Sequence, residues 1–165
     1  MSSLTPRVLT PSGTTLTLPE RELDRLHDHA LAGYPHEVVG ILAGDRAAGA
    51  VRRVHPLENA TADDPARRFH VSGLTLMRAE QALEAEGLDV LGYYHSHPDH
   101  PASWSDTDRD QALPATSYVI TAVHGPDGPQ GDGVATRVVD TRAWRLRDDR
   151  GAMDHETLRV VPSST

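Results

Sequence analysis

Asp89-Val90-Leu91-Gly92-Tyr93-Tyr94-His95-Ser96-His97-Pro98 is the stretch whose reading decides the fold. Through His95 it is apolar on both alternations, which predicts a strand buried on both faces. Such a strand needs a covering layer on each side. Working back along the chain, Leu76, Ala79 and Leu83 mark one face of a helix that Phe69 to Ser72 lead into and that runs through Glu86, with Gly87 as its stop. The polar run Pro56 to Arg68, punctuated by Asn59, Asp63, Asp64 and Pro65, reads as a loop. Val38 to Ala43 suits a central strand, Gly44-Asp45 begins a turn, and Ala50 to Val54 resumes a strand. Thr15 to Leu18 is a short strand signal. Pro19 fits the first turn of a helix that carries Leu23, Leu26 and Ala30 and stops at Gly33-Tyr34-Pro35.

Working forward, Ser96 to Trp104 reads as irregular, and Ser105 to Leu113 as a helix ended by Pro114. Tyr118 to Ala122 is a strand. Gly125 to Gly133 is a glycine-rich turn that lacks the lysine and hydroxyl residue of a phosphate-binding loop. Val134 to Val139 and Thr141 to Leu146 resemble a hairpin pair, and Leu158 to Val161 is one weak strand candidate. Helices interleaved with strands predict an α/β fold, a central mixed sheet flanked by helices. One domain over 1–165 is expected, with 1–12 and 150–165 as loose ends.

The 165 residues suffice for one core. Aromatics make up only 4%, so Leu, Val, Ile and Ala must form most of it. A formal charge of -8, from 24 acidic against 16 basic residues, disfavours nucleic acid as a partner, since binding a polyanion needs concentrated Lys and Arg. Arg52-Arg53 and Arg67-Arg68 are the only short basic clusters. Cysteine is absent, which excludes disulfides, a thiol nucleophile and thiolate metal sites. Met1 to Pro19 shows no signal peptide, and no run approaches the roughly 18 apolar residues of a membrane span. A cytoplasmic location is the expectation, and oligomeric state is not legible.

On an extended strand end, side chains two apart point the same way, so His95 and His97 aim into one volume. Asp108, about one turn into the following helix, can reach back toward it. Two imidazoles and a carboxylate suit Zn²⁺ and leave a fourth tetrahedral position for water. The same residues also have a plainer reading. Ser105 with Asp108 three residues later is a helix N-cap, and ten histidines make some close pair expected by chance. Residue chemistry alone leaves both readings open.

His95-Ser96-His97-Pro98, followed by Ser105 and then Asp108, resembles the signature of the JAMM metalloproteases, the active branch of the MPN domain family. Upstream, Pro35-His36-Glu37-Val38-Val39-Gly40-Ile41-Leu42-Ala43-Gly44 is similar to the family segment in which a glutamate precedes a glycine-containing core strand. The resemblance implies an MPN-like fold with cytidine-deaminase-like layering. It implies one Zn²⁺ per chain held by His95, His97 and Asp108, Glu37 as general acid/base, and Ser105 as the group that helps stabilise the oxyanion. Val39 stands where relatives often carry cysteine and reads as core packing. In such a site zinc activates a water, Glu37 takes its proton and returns it to the leaving amine, and Ser105 supports the charge on the carbonyl oxygen.

The resemblance further implies a substrate: a ubiquitin-like or sulfur-carrier protein cut at a peptide or isopeptide bond after its terminal Gly-Gly. An extended tail would fit a narrow cleft and add to an exposed strand edge, with Pro56–Arg68 and the strand end near His95 as walls. The alternatives are a non-catalytic MPN-type binding module and a zinc amidase acting on a small molecule. A nucleobase deaminase has comparable layers, but its usual cysteine ligands cannot exist here. Tyr93 and Tyr94 read as core and sheet-surface residues, Asp99 and His100 as a solvated loop, and Trp104 as rim or helix packing.

Overall fold

A computed structural model describes residues 11–58 and 72–163, with side chains from 13 onward. The elements in chain order are β1 (Pro11–Pro19), α1 (Glu20–Gly33), β2 (Val39–Asp45), β3 (Ala50–Leu57), α2 (Gly73–Ala85), β4 (Asp89–Pro98), α3 (Asp106–Gln111), β5 (Ser117–His124), β6 (Arg137–Leu146) and β7 (Met153–Val161). The chain is α/β with a mixed sheet, as the alternation of periods implies. The sheet is not open, however. Its order β1-β3-β2-β4-β5-β6-β7 closes into a barrel through parallel pairing of β7 with β1. This corrects the expectation of a simple sheet flanked by helices.

The strands differ from the sequence expectation in three places, and the first of them produces the closure. First, 150–165 is not a loose end: Met153–Val161 is a full strand, antiparallel to β6 and parallel to β1. Its polar look hides a buried Glu156, which pairs with Arg145 at 3.2 Å and accepts a hydrogen bond from Thr14. Likewise β1 begins at Pro11, inside the stretch expected to be loose. Second, Val134–Val139 and Thr141–Leu146 are not two strands of a hairpin. Arg137–Leu146 is one strand, in which Val139 is an extra residue at a register shift against β5. Third, β4 does not stop at His95 but runs to Pro98, paired in parallel with β5 over Ser96↔Thr121 and His97↔Ala122. The loop expected over Pro56–Arg68 begins later, since Pro56 and Leu57 end β3; 59–71 lie outside the described residues.

Both faces of β2 and β4 are covered, as the alternation predicts. On one face Leu42, Val54, Tyr94 and Val119 pack with Leu26 and Ala30 of α1. On the other, Ile41, Ala43 and Leu57 pack with Leu83 of α2, and Leu76, Ala79, Tyr93 and the half-buried Val39 lie against them. Gly40 is required where Tyr94 crosses it, because a Cβ there would sit 2.1 Å from the ring. The outward edge of β3 is blocked: Glu22 of α1 accepts the Val54 N–H at 2.7 Å, and Pro56 has none to give. Among the described residues no helix is long and apolar enough to cross a membrane.

Candidate metal centre

The pleat of β4 sorts its side chains. Tyr94 and Ser96 turn inward toward α1, where Tyr94 shares a 2.7 Å hydrogen bond with His29 Nδ1. His95 and His97 turn to the opposite face, in register with Ile120 and Ala122 of β5. Their Nε2 atoms lie 3.1 Å apart. Asp108 on α3 completes the group: Oδ1 is 3.3 Å from His95 Nε2 and Oδ2 is 3.5 Å from His97 Nε2. Among the described residues this is the one cluster of three or more His or acidic residues with donor atoms all within 4.8 Å. The three side chains are 12 to 20% exposed, so the group is open on one side and otherwise enclosed.

The two readings of Asp108 are not rivals. Ser105 and Asp108 form a complete capping box at the start of α3, with Asp108 N donating to Ser105 Oγ at 3.1 Å and Ser105 N to Asp108 Oδ2 at 2.8 Å. The cap holds the carboxylate in place while its oxygens face the imidazoles. Ser105 Oγ accepts in this box, so its own proton is left to donate outward, and the residue is exposed.

The donor set fits a zinc ion. Two ligands at tetrahedral angles and about 2.0–2.1 Å from a common centre stand about 3.3 Å apart, close to the 3.1 Å between the two Nε2 atoms and the 3.3 Å from His95 Nε2 to Asp108 Oδ1. The tautomer fits too. His97 Nδ1 is 2.8 Å from the Pro101 carbonyl, which only accepts, so Nδ1 carries the hydrogen and Nε2 offers a lone pair to the cluster.

Glu37 enters from the segment that leads into β2. Val39 pairs with His95, and Ser96 N donates to Val38 O at 3.0 Å, which sets Glu37 beside the ligand strand. Burial pushes its carboxyl above the usual range; nearby Asp108 adds to this, while His95 and His97 oppose it. A half-buried carboxyl with a raised pKa holds a proton more readily than a free one, which suits a group that must take a proton up and pass it on. For Asp108, burial acts upward, but hydrogen bonds and charge from His95 and His97 outweigh it and hold the group well below the carboxylate range.

The other singled-out residues fall as follows. Trp104 is buried with Ala102, Ile120 and Trp144. Tyr94 is core, and half-buried Tyr93 donates to Glu80. Arg52 and Arg53 face Asp45 and Glu86. At His95, β4 is paired on both sides, with Val39 of β2 and Ile120 of β5, so the strand edge expected for a substrate tail is not at that position. Asp99 is not a solvated loop residue: it accepts from the Tyr34 hydroxyl and from Gly125 N. Sequence reasoning had no signal for this, because the partners stand 65 and 26 residues away. A pocket of about 200 Å³ bounded by Leu91, Ser117, Arg145 and Glu156 lies at the other end of β4 and β5 and shares no residue with the cluster.

Residues 19–147 match the family described as prokaryotic homologs of the JAB domain. A probable TtuB-protein conjugate cleaving protease of Thermus thermophilus is 38% identical over 130 residues, 77% of this chain and 85% of that one. The desampylase of Haloferax volcanii is 34% identical over 122 residues, covering 71% and 85%. Among solved structures, a protein of Desulfitobacterium hafniense superposes with TM-score 0.70 at 26% identity, covering 90% of this chain and 94% of that one. A JAB1/MPN domain protein of Archaeoglobus fulgidus shares the fold with TM-score 0.54 at 17% identity, covering 88% and 99%.

Proposed function

This chain belongs to the family of prokaryotic homologs of the JAB domain, and on that premise we propose that it is a zinc-dependent JAMM-type peptidase. It hydrolyses the peptide or isopeptide bond after the C-terminal Gly-Gly of a ubiquitin-like or sulfur-carrier protein. The observation that carries this reading is the convergence of His95, His97 and Asp108 donors within 4.8 Å, with Glu37 alongside. The relative named for cleaving protein conjugates supports the substrate class.

The roles follow from the surroundings of each residue. His95, His97 and Asp108 hold one zinc ion per chain. Zinc in such a site supplies an activated water and polarises a carbonyl. Glu37, its proton affinity raised by burial, accepts the proton of the attacking water and delivers it to the departing amine. Ser105, with its oxygen anchored by the Asp108 N–H, turns its hydroxyl proton to the developing oxyanion. The substrate tail lies across the open side of the cluster rather than as a strand added beside His95, because β4 is paired there with both β2 and β5.

His97→Ala tests the assignment. The wild-type protein is expected to carry one zinc per chain by mass spectrometry and to shorten a carrier bearing a Gly-Gly-linked extension. The variant is expected to lose both. Full zinc occupancy in His97→Ala after buffer exchange would overturn the ligand assignment. Cleavage of small amides with no carrier processed would make the protein a small-molecule amidase instead.

A further inference from the structure

Glu37 stands on a different segment from all three ligand residues, so proton transfer requires that segment to be fixed against β4. On its downstream side, Val38 N donates to the buried Ser96 Oγ at 2.9 Å, and Ser96 N returns a bond to Val38 O. On its upstream side, the Tyr34 hydroxyl donates to Asp99 Oδ2 at 2.7 Å. The other Asp99 oxygen accepts from Gly125 N at 3.0 Å, and Asp99 N donates to Val123 O at 2.8 Å, prolonging the β4–β5 ladder. The fit is tight. A Cβ on Gly125 would lie 2.2 Å from the Tyr34 hydroxyl oxygen, and one on Gly128 would lie 2.3 Å from Asp99 Oδ1. Asp99 has φ 58, a left-handed conformation that Asp and Asn tolerate better than other side chains.

We infer that Tyr34 and Asp99 are positioning residues that, with Ser96, hold Glu37 at a fixed offset from His95 and His97. The ligand strand and the turn that leaves it thus also carry, at Ser96 and Asp99, both fixtures for the acid/base residue. A plain loop tether would account for the same bonds through stability alone. The arrangement differs from that in one respect: its two attachment points flank Glu37, one on β4 at Ser96 and the other on the residue that follows its end, Asp99. The inference rests on Glu37 as the acid/base group.

The test uses zinc-loaded full-length protein as wild type, Tyr34→Phe, Asp99→Ala and Asp99→Asn. It reads zinc content, kcat and KM on a Gly-Gly-extended carrier, and amide hydrogen exchange at Val38 and Gly125, whose N–H groups donate to Ser96 and Asp99. Tyr34→Phe and Asp99→Ala are expected to keep their zinc and a KM within about twofold of wild type. Their kcat falls about 10- to 100-fold, the scale of a small misplacement of a reacting group. Asp99→Asn, which keeps the acceptor for Gly125 and tolerates the backbone conformation, restores kcat and the slow exchange. In a Glu37→Gln background, Tyr34→Phe lowers the residual rate by less than about twofold, because the group it positions is already disabled. Wild-type kcat in both breaking variants, or an equal further loss in the Glu37→Gln background, would overturn the inference; so would loss of zinc in step with kcat. If Asp99→Ala fails to fold, Tyr34→Phe decides. A wild type that hydrolyses no amide at all defeats the peptidase reading, and Val38 amide exchange then still tests whether Tyr34 and Asp99 hold the segment.

Discussion

Glu37 and Gln have nearly the same shape, but only the carboxylate can take a proton and give it back near neutral pH. Glu37→Gln is therefore expected to keep one zinc and the wild-type melting temperature while losing about 10²–10⁴ in kcat. Equal rates at equal zinc occupancy would remove the proton-transfer role. The histidines add a pH dependence of definite sign. Burial lowers the His97 pKa, but Asp108, the Pro101 carbonyl and Glu37 outweigh it, and the net shift is upward. Without metal, the His97–Asp108 contact stabilises fully from about pH 4, above the unfolded Asp value, to about pH 6.5, the unfolded His value. It is lost as pH rises through the raised His97 pKa or falls through the depressed Asp108 pKa. Zinc must displace the His97 proton, so its affinity follows the opposite trend. The expected zinc Kd rises about tenfold per unit as pH drops below the raised His97 value and is flat above it; competition with a chromogenic chelator measures it. A Kd independent of pH from 5 to about 8 would exclude this coupling. At this scale the sequence was most informative where spacing is local. Two histidines on one strand face and a carboxylate one turn into the next helix are legible from periodicity. Glu37 and Asp99 are not, because their partners lie far away in the chain. Glu37 emerged only through family likeness.

Among the elements, β2 and β4 form the rigid platform of the site, and the closest approach within it is Gly40 beneath Tyr94. Tyr94 is fully buried and backed edge-on by His29, so its ring has nowhere to retreat. Gly40→Ala is expected to destabilise the fold by about 1–3 kcal/mol, the usual effect of overpacking. It should also lower activity by displacing His95, the neighbour of Tyr94. Urea unfolding midpoints together with zinc content would check both, and an unchanged midpoint would show that the ring can move. Elements with a plain period were legible: α1, α2, β2 and the start of β4. The exceptions have local causes. Ser96 and Pro98 lack strand propensity, and it is parallel pairing with β5 that extends β4 past them. Asp140 looks like a turn residue but marks a bulge, where its carboxylate accepts from Thr141 N and pairs with Arg142.

For the molecule as a whole, the decisive contact is the β1–β7 seam. Removing the chain after 150 strips β6 of its hydrogen-bonded neighbour, leaves the outer edge of β1 bare, and takes away the buried Met153 and Glu156. That truncation is expected to abolish a cooperative thermal transition, whereas trimming after 163 leaves the melting temperature unchanged. A cooperative transition in the shorter protein would show that the seam is dispensable. The seam was the least legible feature, because Asp154, His155 and Glu156 read as surface, and it takes the Arg145 guanidinium and the Thr14 hydroxyl to make a buried glutamate tolerable there. It also bears on how the protein is made. A ribosome releases β1 first and β7 last, yet these strands lie side by side in the finished sheet. Throughout translation the nascent chain therefore carries β1 with one raw edge, a template for pairing with any passing strand. Among the described strands, the last to leave the exit tunnel is the one that removes that hazard.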